Sequence, residues 1–181
     1  MGKLKLHPDK TEFIIWTRQR LEKVKTSHLI VSESRINSLP QIRNFGSWSD
    51  SNLDMLSHVN SICSSSFYYI YNIRKIRKYL SHQTAISLVR AFITSKLDYC
   101  SSLLYGLPTI HINKLQRVQN AAAKLVTTCN TPLICQVTLV LKGVHWLPEK
   151  CRMKYKIMLL TFKCLYGLAP QYLDDLIAVA A

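Results

Sequence analysis

The sequence predicts a mainly α-helical fold, in which a small β segment at the N-terminus is followed by a helical bundle. The chain has 181 residues and an apolar fraction of 48%, which is enough to bury a core. Before residue 50, short apolar bursts alternate with polar and proline-containing stretches, as is typical of strands. After Asp50, apolar residues recur with the period of a helix. We therefore expect two parts, residues 1–50 and residues 51–181.

Three apolar bursts are the candidate strands of the first part: Phe13 to Trp16, His28 to Val31 and Ile42 to Trp48. A sheet of two or three short strands leaves unpaired edges and buries little apolar surface. Because such a sheet is not self-sufficient, we interpret residues 1–50 as the rim of a larger domain.

The first predicted helix follows the polar sequence Asp50-Ser51-Asn52, which can cap it before Leu53. We expect this helix to end near Leu80. Its apolar positions have helical spacing and are Leu56, Val59, Cys63, Phe67, Ile70 and Ile73. Its last turns, where the helix dipole favours cations, contain four basic residues: Arg74, Lys75, Arg77 and Lys78.

Two further helices are predicted before residue 130. Ser81 can cap the second helix, and Gly106-Leu107-Pro108 closes the segment after it. The apolar face of the second helix consists of Ala85, Leu88, Val89, Phe92 and Ile93. The third helix runs from about Ile110 to Thr127, with an apolar stripe of Ile112, Leu115, Val118, Ala122, Leu125 and Val126. The side of this helix opposite the stripe contains Lys114, Arg117 and Lys124.

Pro148 is predicted to begin a fourth helix, and Gly167-Leu168-Ala169-Pro170 is predicted to end it. We expect its inward side chains to be Met153, Ile157, Leu160 and Cys164. Its basic residues include Lys150, Lys154 and Lys163. A short amphipathic helix with Leu173, Leu176 and Ile177 is expected to follow.

Charge is the strongest compositional signal in the sequence. The chain has 24 Lys and Arg against 10 Asp and Glu, a formal net charge of +14. Such an imbalance indicates an anionic partner. A solvated helix face, the alternative interpretation, normally alternates Glu with Lys, and these helices almost entirely lack Glu. We therefore predict sequence-nonspecific phosphate contacts by Arg74, Lys75, Arg77, Lys78, Lys114, Arg117 and Lys124.

Five tyrosines are candidates for stacking on bases: Tyr68, Tyr69, Tyr71, Tyr79 and Tyr105. The alternative is that they belong to a core or its rim, as most tyrosines at helical spacing do.

Catalytic chemistry is not expected of this chain alone. Tyr172-Leu173-Asp174-Asp175 matches the Tyr-x-Asp-Asp string of polymerases, which holds paired metal ions only on a tight turn between strands. Here the string follows Ala169-Pro170 and opens a predicted helix, so we interpret both aspartates as first-turn acids that complement the helix dipole. We predict no catalytic residue, no metal site and no cofactor.

The cysteines indicate a reducing, intracellular compartment, either cytoplasm or nucleus. There are six of them, without CxxC spacing or the density of a disulfide scaffold. We expect them to be small apolar core residues rather than zinc ligands. No apolar run is long enough to cross a membrane, so no membrane association is expected.

Several short motifs occur in order along the chain. The most specific are Leu97-Asp98-Tyr99-Cys100 with Tyr105-Gly106-Leu107-Pro108, and Leu115-Gln116-Arg117-Val118-Gln119-Asn120-Ala121-Ala122. They are followed by His145-Trp146-Leu147-Pro148 and Gly167-Leu168-Ala169-Pro170-Gln171-Tyr172-Leu173. In these motifs and their order the chain resembles the C-terminal part of the reverse transcriptase of non-LTR retrotransposons of the LINE and jockey type. Near the start, Leu6-His7-Pro8-Asp9-Lys10-Thr11-Glu12 resembles the family's Asn-Pro-x-Lys-Thr segment, with His7 in place of Asn.

The resemblance implies that residues 1–50 are the last edge of a polymerase palm with its primer-grip strands, and that residues 51–181 are the thumb and its extension. It implies primer-grip roles for Phe45, Gly46 and Trp48, and a place near the incoming triphosphate for Lys10. The metal-binding carboxylates, which would use Mg²⁺ in the full-length family enzyme, would lie upstream. We expect the chain to bind an RNA or DNA template-primer duplex without catalysis. The alternative is a helical protein-interaction module that does not bind nucleic acid.

Overall fold

The computed structural model describes residues 10–16, 28–31, 34–127, 137–175 and 177. The described fold is mainly helical, with two small antiparallel sheets near the N-terminus, in agreement with the predicted fold class. The chain divides into two units, Met1–Asn60 and Ser61–Ala181. Four predicted features lie outside the described residues: the segment Leu6 to Asp9, Cys129, Cys135 and Leu176.

The N-terminal unit contains two hairpins. Strands β1 (His28–Val31) and β2 (Ser34–Asn37) pair in an antiparallel fashion, as do β3 (Gln41–Asn44) and β4 (Ser47–Asp50). The strand predicted at His28 to Val31 is confirmed. The run from Ile42 to Trp48, predicted as one strand, is a hairpin, because the backbone reverses at Phe45-Gly46.

The strand predicted at Phe13 to Trp16 is not formed. This segment makes one isolated bridge, between Phe13 and Ser38, and the Leu39 amide donates to the Phe13 carbonyl over 2.8 Å. A strand requires a neighbour along its length to satisfy its backbone groups, and a single bridge does not supply one.

Helix α1 (Leu56–Ile76) begins three residues later than predicted and continues as a 3₁₀ turn, Arg77–Tyr79. The predicted cap at Asp50 has a different role. Its Oδ1 accepts from the Asn52 and Asp54 amides at 3.1 and 3.0 Å, and its Oδ2 accepts from the Met55 amide at 3.0 Å. These bonds hold a loop before the helix, in which Leu53 and Met55 have positive φ angles of 56° and 55°.

The remaining helices follow the predicted order, with one additional helix, Val137–Gly143, that was not predicted. The second helix is built from α2 (His82–Val89), a π-helical segment (Arg90–Thr94) and α3 (Ser95–Asp98), with a 3₁₀ turn at Ser101–Leu104. After it come α4 (Thr109–Thr127), α5 (Val137–Gly143), α6 (Glu149–Leu165) and α7 (Gln171–Asp174). The predicted cap is confirmed, because the Ser81 hydroxyl accepts from the Thr84 amide at 3.1 Å.

The core of the second unit is centred on α4. This helix packs against α2, α5 and α6, and its predicted apolar stripe is buried apart from Ile112, which is half-buried. Other fully buried side chains around it include Val89, Ile93, Leu97, Leu104 and Met153. None of the described helices is long and apolar enough to cross a membrane.

Helix α6 departs from the prediction on its inward face. Met153 is buried, but Leu160, predicted to face inward, is 41% exposed. Tyr155, Met158 and Phe162 are also exposed, so α6 presents large apolar side chains outward as well as inward. Cys151 is exposed too, so the prediction that the cysteines are core residues is wrong at this position.

Candidate nucleic-acid interface

The end of α1 presents a basic stripe to solvent. Arg74, Lys75 and Lys78 are exposed. Lys75 lies on the side of α1 opposite its buried residues Ile70 and Ile73, and Lys78 lies in the 3₁₀ turn that continues the helix. Within the described residues, no carboxylate lies within ion-pair distance of these three side chains. Their charge is therefore available to an anion.

Exposed tyrosines accompany this stripe. The Lys75 Nζ lies 4.3 Å from the centre of the Tyr71 ring, and the Lys78 Nζ lies 4.8 Å from the centre of the Tyr79 ring. Tyr68, Tyr71 and Tyr79 are exposed at this end of the chain segment, and Tyr105, after the turn Ser101–Leu104, is exposed as well. Tyr69 is not available for stacking on a base, because its ring already stacks on Phe92 with centroids 5.0 Å apart.

The second basic stripe lies on α4. Lys114, Arg117 and Lys124 recur at positions three and seven apart, which places them on one side of the helix. That side faces away from the buried residues Leu115 and Val118, as predicted. Arg117 is exposed, whereas Lys114 and Lys124 are half-buried.

Two interactions show that the stripes are on neighbouring helices. The charge of Lys114 reaches Cys63 on α1, where burial raises the pKa of the thiol and Lys114 opposes that rise. At the other end, Arg77 reaches the C-terminal end of α4 at Leu125 and Val126. Both contacts occur in the same chain order, so α4 lies near α1 at Lys114 and is bonded at its C-terminal end to the turn that follows α1.

Arg77 links two parts of the fold, a role that the sequence did not indicate. Its Nε donates to the Leu125 carbonyl at 2.9 Å, its Nη2 to the Val126 carbonyl at 2.8 Å, and its Nη1 to the Leu80 carbonyl at 3.0 Å. The carbonyls in the last turn of a helix lack intrahelical donors, and a guanidinium satisfies them while complementing the dipole. Arg77 thus fastens the end of α1 to the end of α4.

Two acids of the second unit, Asp98 and Glu149, lie at the same arginine. Arg152 pairs with Asp98, and its Nη1 donates to Glu149 Oε1 at 3.2 Å. Glu149 is only 1% exposed, so burial raises its pKa to about 7, opposed by the charge of Arg152 and supported by that of Asp98. Asp98 belongs to the Leu97-Asp98-Tyr99-Cys100 motif, and its carbonyl also accepts from Lys156 Nζ at 2.7 Å. That motif therefore binds α6.

Two other motifs of the resemblance meet in a hydrogen-bonded network. The buried Gln119 donates through Nε2 to the Leu147 carbonyl at 2.8 Å, and Gln116 Oε1 accepts from the Glu149 amide at 2.9 Å. Gln116 Nε2 also donates to Gln119 Oε1 at 2.8 Å. Side-chain amides of α4 therefore hold the loop His145-Trp146-Leu147-Pro148 in place.

The primer-grip-like residues occupy the β3–β4 hairpin. Phe45 and Gly46 form its two-residue turn, with φ angles of 45° and 86°, and Phe45 is 89% exposed. Positive φ at both central positions is the feature of a type I′ turn, which favours Asn-Gly and is strained for Phe. Trp48 is half-buried, and the Arg43 guanidinium lies 5.8 Å from its ring centre. An exposed aromatic side chain is therefore held at the hairpin tip.

The remaining predicted features are Lys10 and the Tyr-x-Asp-Asp string. Lys10 is exposed. Tyr172, Leu173 and Asp174 lie in the four-residue helix α7, so the Tyr-x-Asp-Asp string is helical, as predicted. Asp175 caps the C-terminal end of this helix, so its interpretation as a first-turn acid is wrong. Among the described residues, no group of His, Cys, Asp and Glu has the arrangement of a metal site.

Comparison of the chain with protein-family models, with curated proteins and with solved structures gives no match in any of the three. The resemblance to non-LTR reverse transcriptases therefore rests on the sequence motifs alone.

Proposed function

We propose that the chain is a thumb-like remnant of a non-LTR retrotransposon reverse transcriptase, and that it binds the phosphate backbone of a template-primer duplex. The observation that supports this most directly is the pair of basic stripes on the neighbouring helices α1 and α4. The residues proposed to contact phosphates are Arg74, Lys75, Lys78, Lys114, Arg117 and Lys124. Backbone contacts of this kind position a duplex without reading its sequence.

Arg77 is proposed to act indirectly. Three of its N–H groups donate to carbonyls, so its main contribution is to keep the two stripes side by side. Phe45 at the hairpin tip is proposed as a separate stacking contact for a nucleotide, because its ring is almost fully exposed at the turn.

Salt dependence tests the proposal. If six phosphates are neutralised, log affinity should fall with log salt concentration with a slope of about −5, at roughly 0.9 per contact. Fluorescence anisotropy with a labelled RNA–DNA duplex across a salt series measures this slope. A slope near zero would instead favour the protein-interaction alternative.

Charge reversal tests which residues contact the duplex. The double variant Arg117→Glu/Lys124→Glu should reduce the slope by about 2 and weaken binding, with an unchanged circular dichroism spectrum. The matched control is Arg90→Glu/Lys142→Glu, which changes the same residue types and the same net charge at exposed positions outside both stripes. Equal weakening by both double variants would mean that net charge alone drives binding.

We propose that the chain has no polymerase activity of its own, since phosphoryl transfer would need a two-metal carboxylate site on a palm. Primer extension with Mg²⁺ and deoxynucleotides should yield no product. Extension that is lost in Asp174→Asn/Asp175→Asn would overturn this part of the proposal.

A further inference from the structure

Helix α6 has a second apolar face that points into solvent. Tyr155, Met158, Phe162 and Leu165 are 59%, 69%, 50% and 53% exposed, and the spacing of these four residues is three, four and three. That is the a/d spacing of a heptad, the pattern with which one helix packs along another. Tyr166 extends the face, with its ring centre 4.4 Å from that of Phe162.

This face cannot be explained by the packing of the second unit. The inner side of α6 already buries Met153, and the outward row lies on the opposite side of the helix. Large contiguous apolar side chains in water are unfavourable and mark interaction sites in folded proteins. Aromatic residues, two of which form this exposed pair, are the side chains most enriched at the centre of protein interfaces.

Lysines line both edges of the face, which defines the charge of the partner. Lys154 precedes Tyr155 and Lys163 follows Phe162, so at 100° per residue they lie on opposite edges of the apolar row. Both are exposed. The acid of α6, Glu149, is buried against Arg152 and does not offset them.

We propose that the outward face of α6 docks an amphipathic helix of another protein, one with acidic residues beside its apolar stripe. The apolar row supplies the buried contact, and carboxylates on the partner pair with Lys154 and Lys163. A second copy of this chain fits poorly, because it would set lysine against lysine along the same seam. The heptad spacing of the row is that of a helix–helix contact, which favours a partner helix over a membrane surface.

The full-length chain can be tested with a synthetic helical peptide of about three heptads, with Leu at a and d and Glu at e and g. Saturable binding is expected, and Phe162→Glu and Met158→Glu should each weaken it about 30-fold, the effect of losing an interface hot spot. Both side chains are half or more exposed, so each variant should fold. Ile110→Glu is the matched control, because Ile110 is 66% exposed on α4 and should leave affinity unchanged.

Three results would overturn the proposal. Equal binding of a peptide with the same glutamates but Ser at a and d would show only electrostatic attraction to a basic chain. Sedimentation that shows a dimer, dispersed by Phe162→Glu, would assign the face to a second copy. Binding to phosphatidylserine vesicles that Phe162→Glu abolishes, without peptide binding, would assign it to a membrane. Arg117→Glu/Lys124→Glu should leave peptide affinity intact, which separates this proposal from nucleic-acid binding.

Discussion

Different interactions stabilise the fold of each of the two units. In the N-terminal unit, polar side chains organise the backbone: Asp50 accepts three amide hydrogen bonds, and the buried His58 accepts from the Trp48 amide at 3.4 Å. In the helical unit, an apolar core surrounds α4, and two arginines link its helices. Arg77 donates hydrogen bonds to carbonyls, and Arg152 forms ion pairs with carboxylates. Short strands bury too little apolar surface to define a structure alone, whereas long amphipathic helices need polar contacts only at their ends and crossings.

The largest effect is expected at Arg152. Arg152→Met would leave Glu149 buried without its cation, and breaking a buried pair costs about 3 kcal/mol. Urea denaturation should show this loss in the free energy of unfolding of the helical unit. In the background of Glu149→Gln, the same Arg152→Met substitution should cost much less. Equal costs in both backgrounds would mean that the pair does not stabilise the fold.

Glu149 should make the helical unit less stable as pH rises. Its folded-state pKa of about 7 lies above its ordinary value of 4.5, so its contribution is complete below pH 4.5 and is lost as pH rises through 7. The loss approaches about 3 kcal/mol in alkaline solution. Trp146 fluorescence in a Trp16→Phe/Trp48→Phe variant measures the free energy of unfolding at each pH. In Glu149→Gln this free energy should depend much less on pH.

The N-terminal unit should respond to pH in the opposite sense, which gives an internal contrast. Burial lowers the pKa of His58 below 6.5, so its contribution is present above pH 6.5 and is lost as pH falls through the folded-state pKa. Fluorescence of Trp48 should report this acid loss. Parallel responses of Trp48 and Trp146 would show that the two units do not unfold separately.

Asp50→Ala should destabilise the N-terminal unit by about 2 kcal/mol, because three backbone amides lose a charged acceptor. Thermal unfolding followed at Trp48 measures the shift. Asp54→Ala is the control with a smaller expected effect, since Asp54 accepts one amide bond, from Leu56 at 2.8 Å. A larger shift in Asp54→Ala would mean that Asp54, and not Asp50, holds this loop.

The smallest effect is expected at the hairpin tip. Phe45→Asn should raise the stability of the N-terminal unit by about 1 kcal/mol, because Asn adopts positive φ in a type I′ turn more readily than Phe. If Phe45 also stacks on a nucleotide, the same variant should weaken duplex binding. Higher stability with unchanged duplex binding would show that Phe45 does not contact the duplex. The proposed interface would then consist of the α1 and α4 stripes alone.

Local features of the fold were predictable because their causes are local. Ser81 caps its helix as predicted, and Gly167 ends α6 with a φ of 63° while the Leu168 amide donates to the Lys163 carbonyl at 2.7 Å. The outward direction of Arg117 follows from helical periodicity in the same way. By contrast, the start of α1 was misplaced, because Asp50 bonds to a loop instead of to a helix that begins at Leu53.

The sequence by itself determined the helical class, the faces of α4 and the excess of positive charge, since each depends on residue type and spacing along one segment. Only the tertiary structure decided that Arg77 fastens two helices, that Asp98 and Glu149 share Arg152, and that α6 keeps an apolar row in water. Those outcomes depend on which helices meet. Periodicity shows that a face is apolar, but only the packing of the other helices shows whether anything covers it.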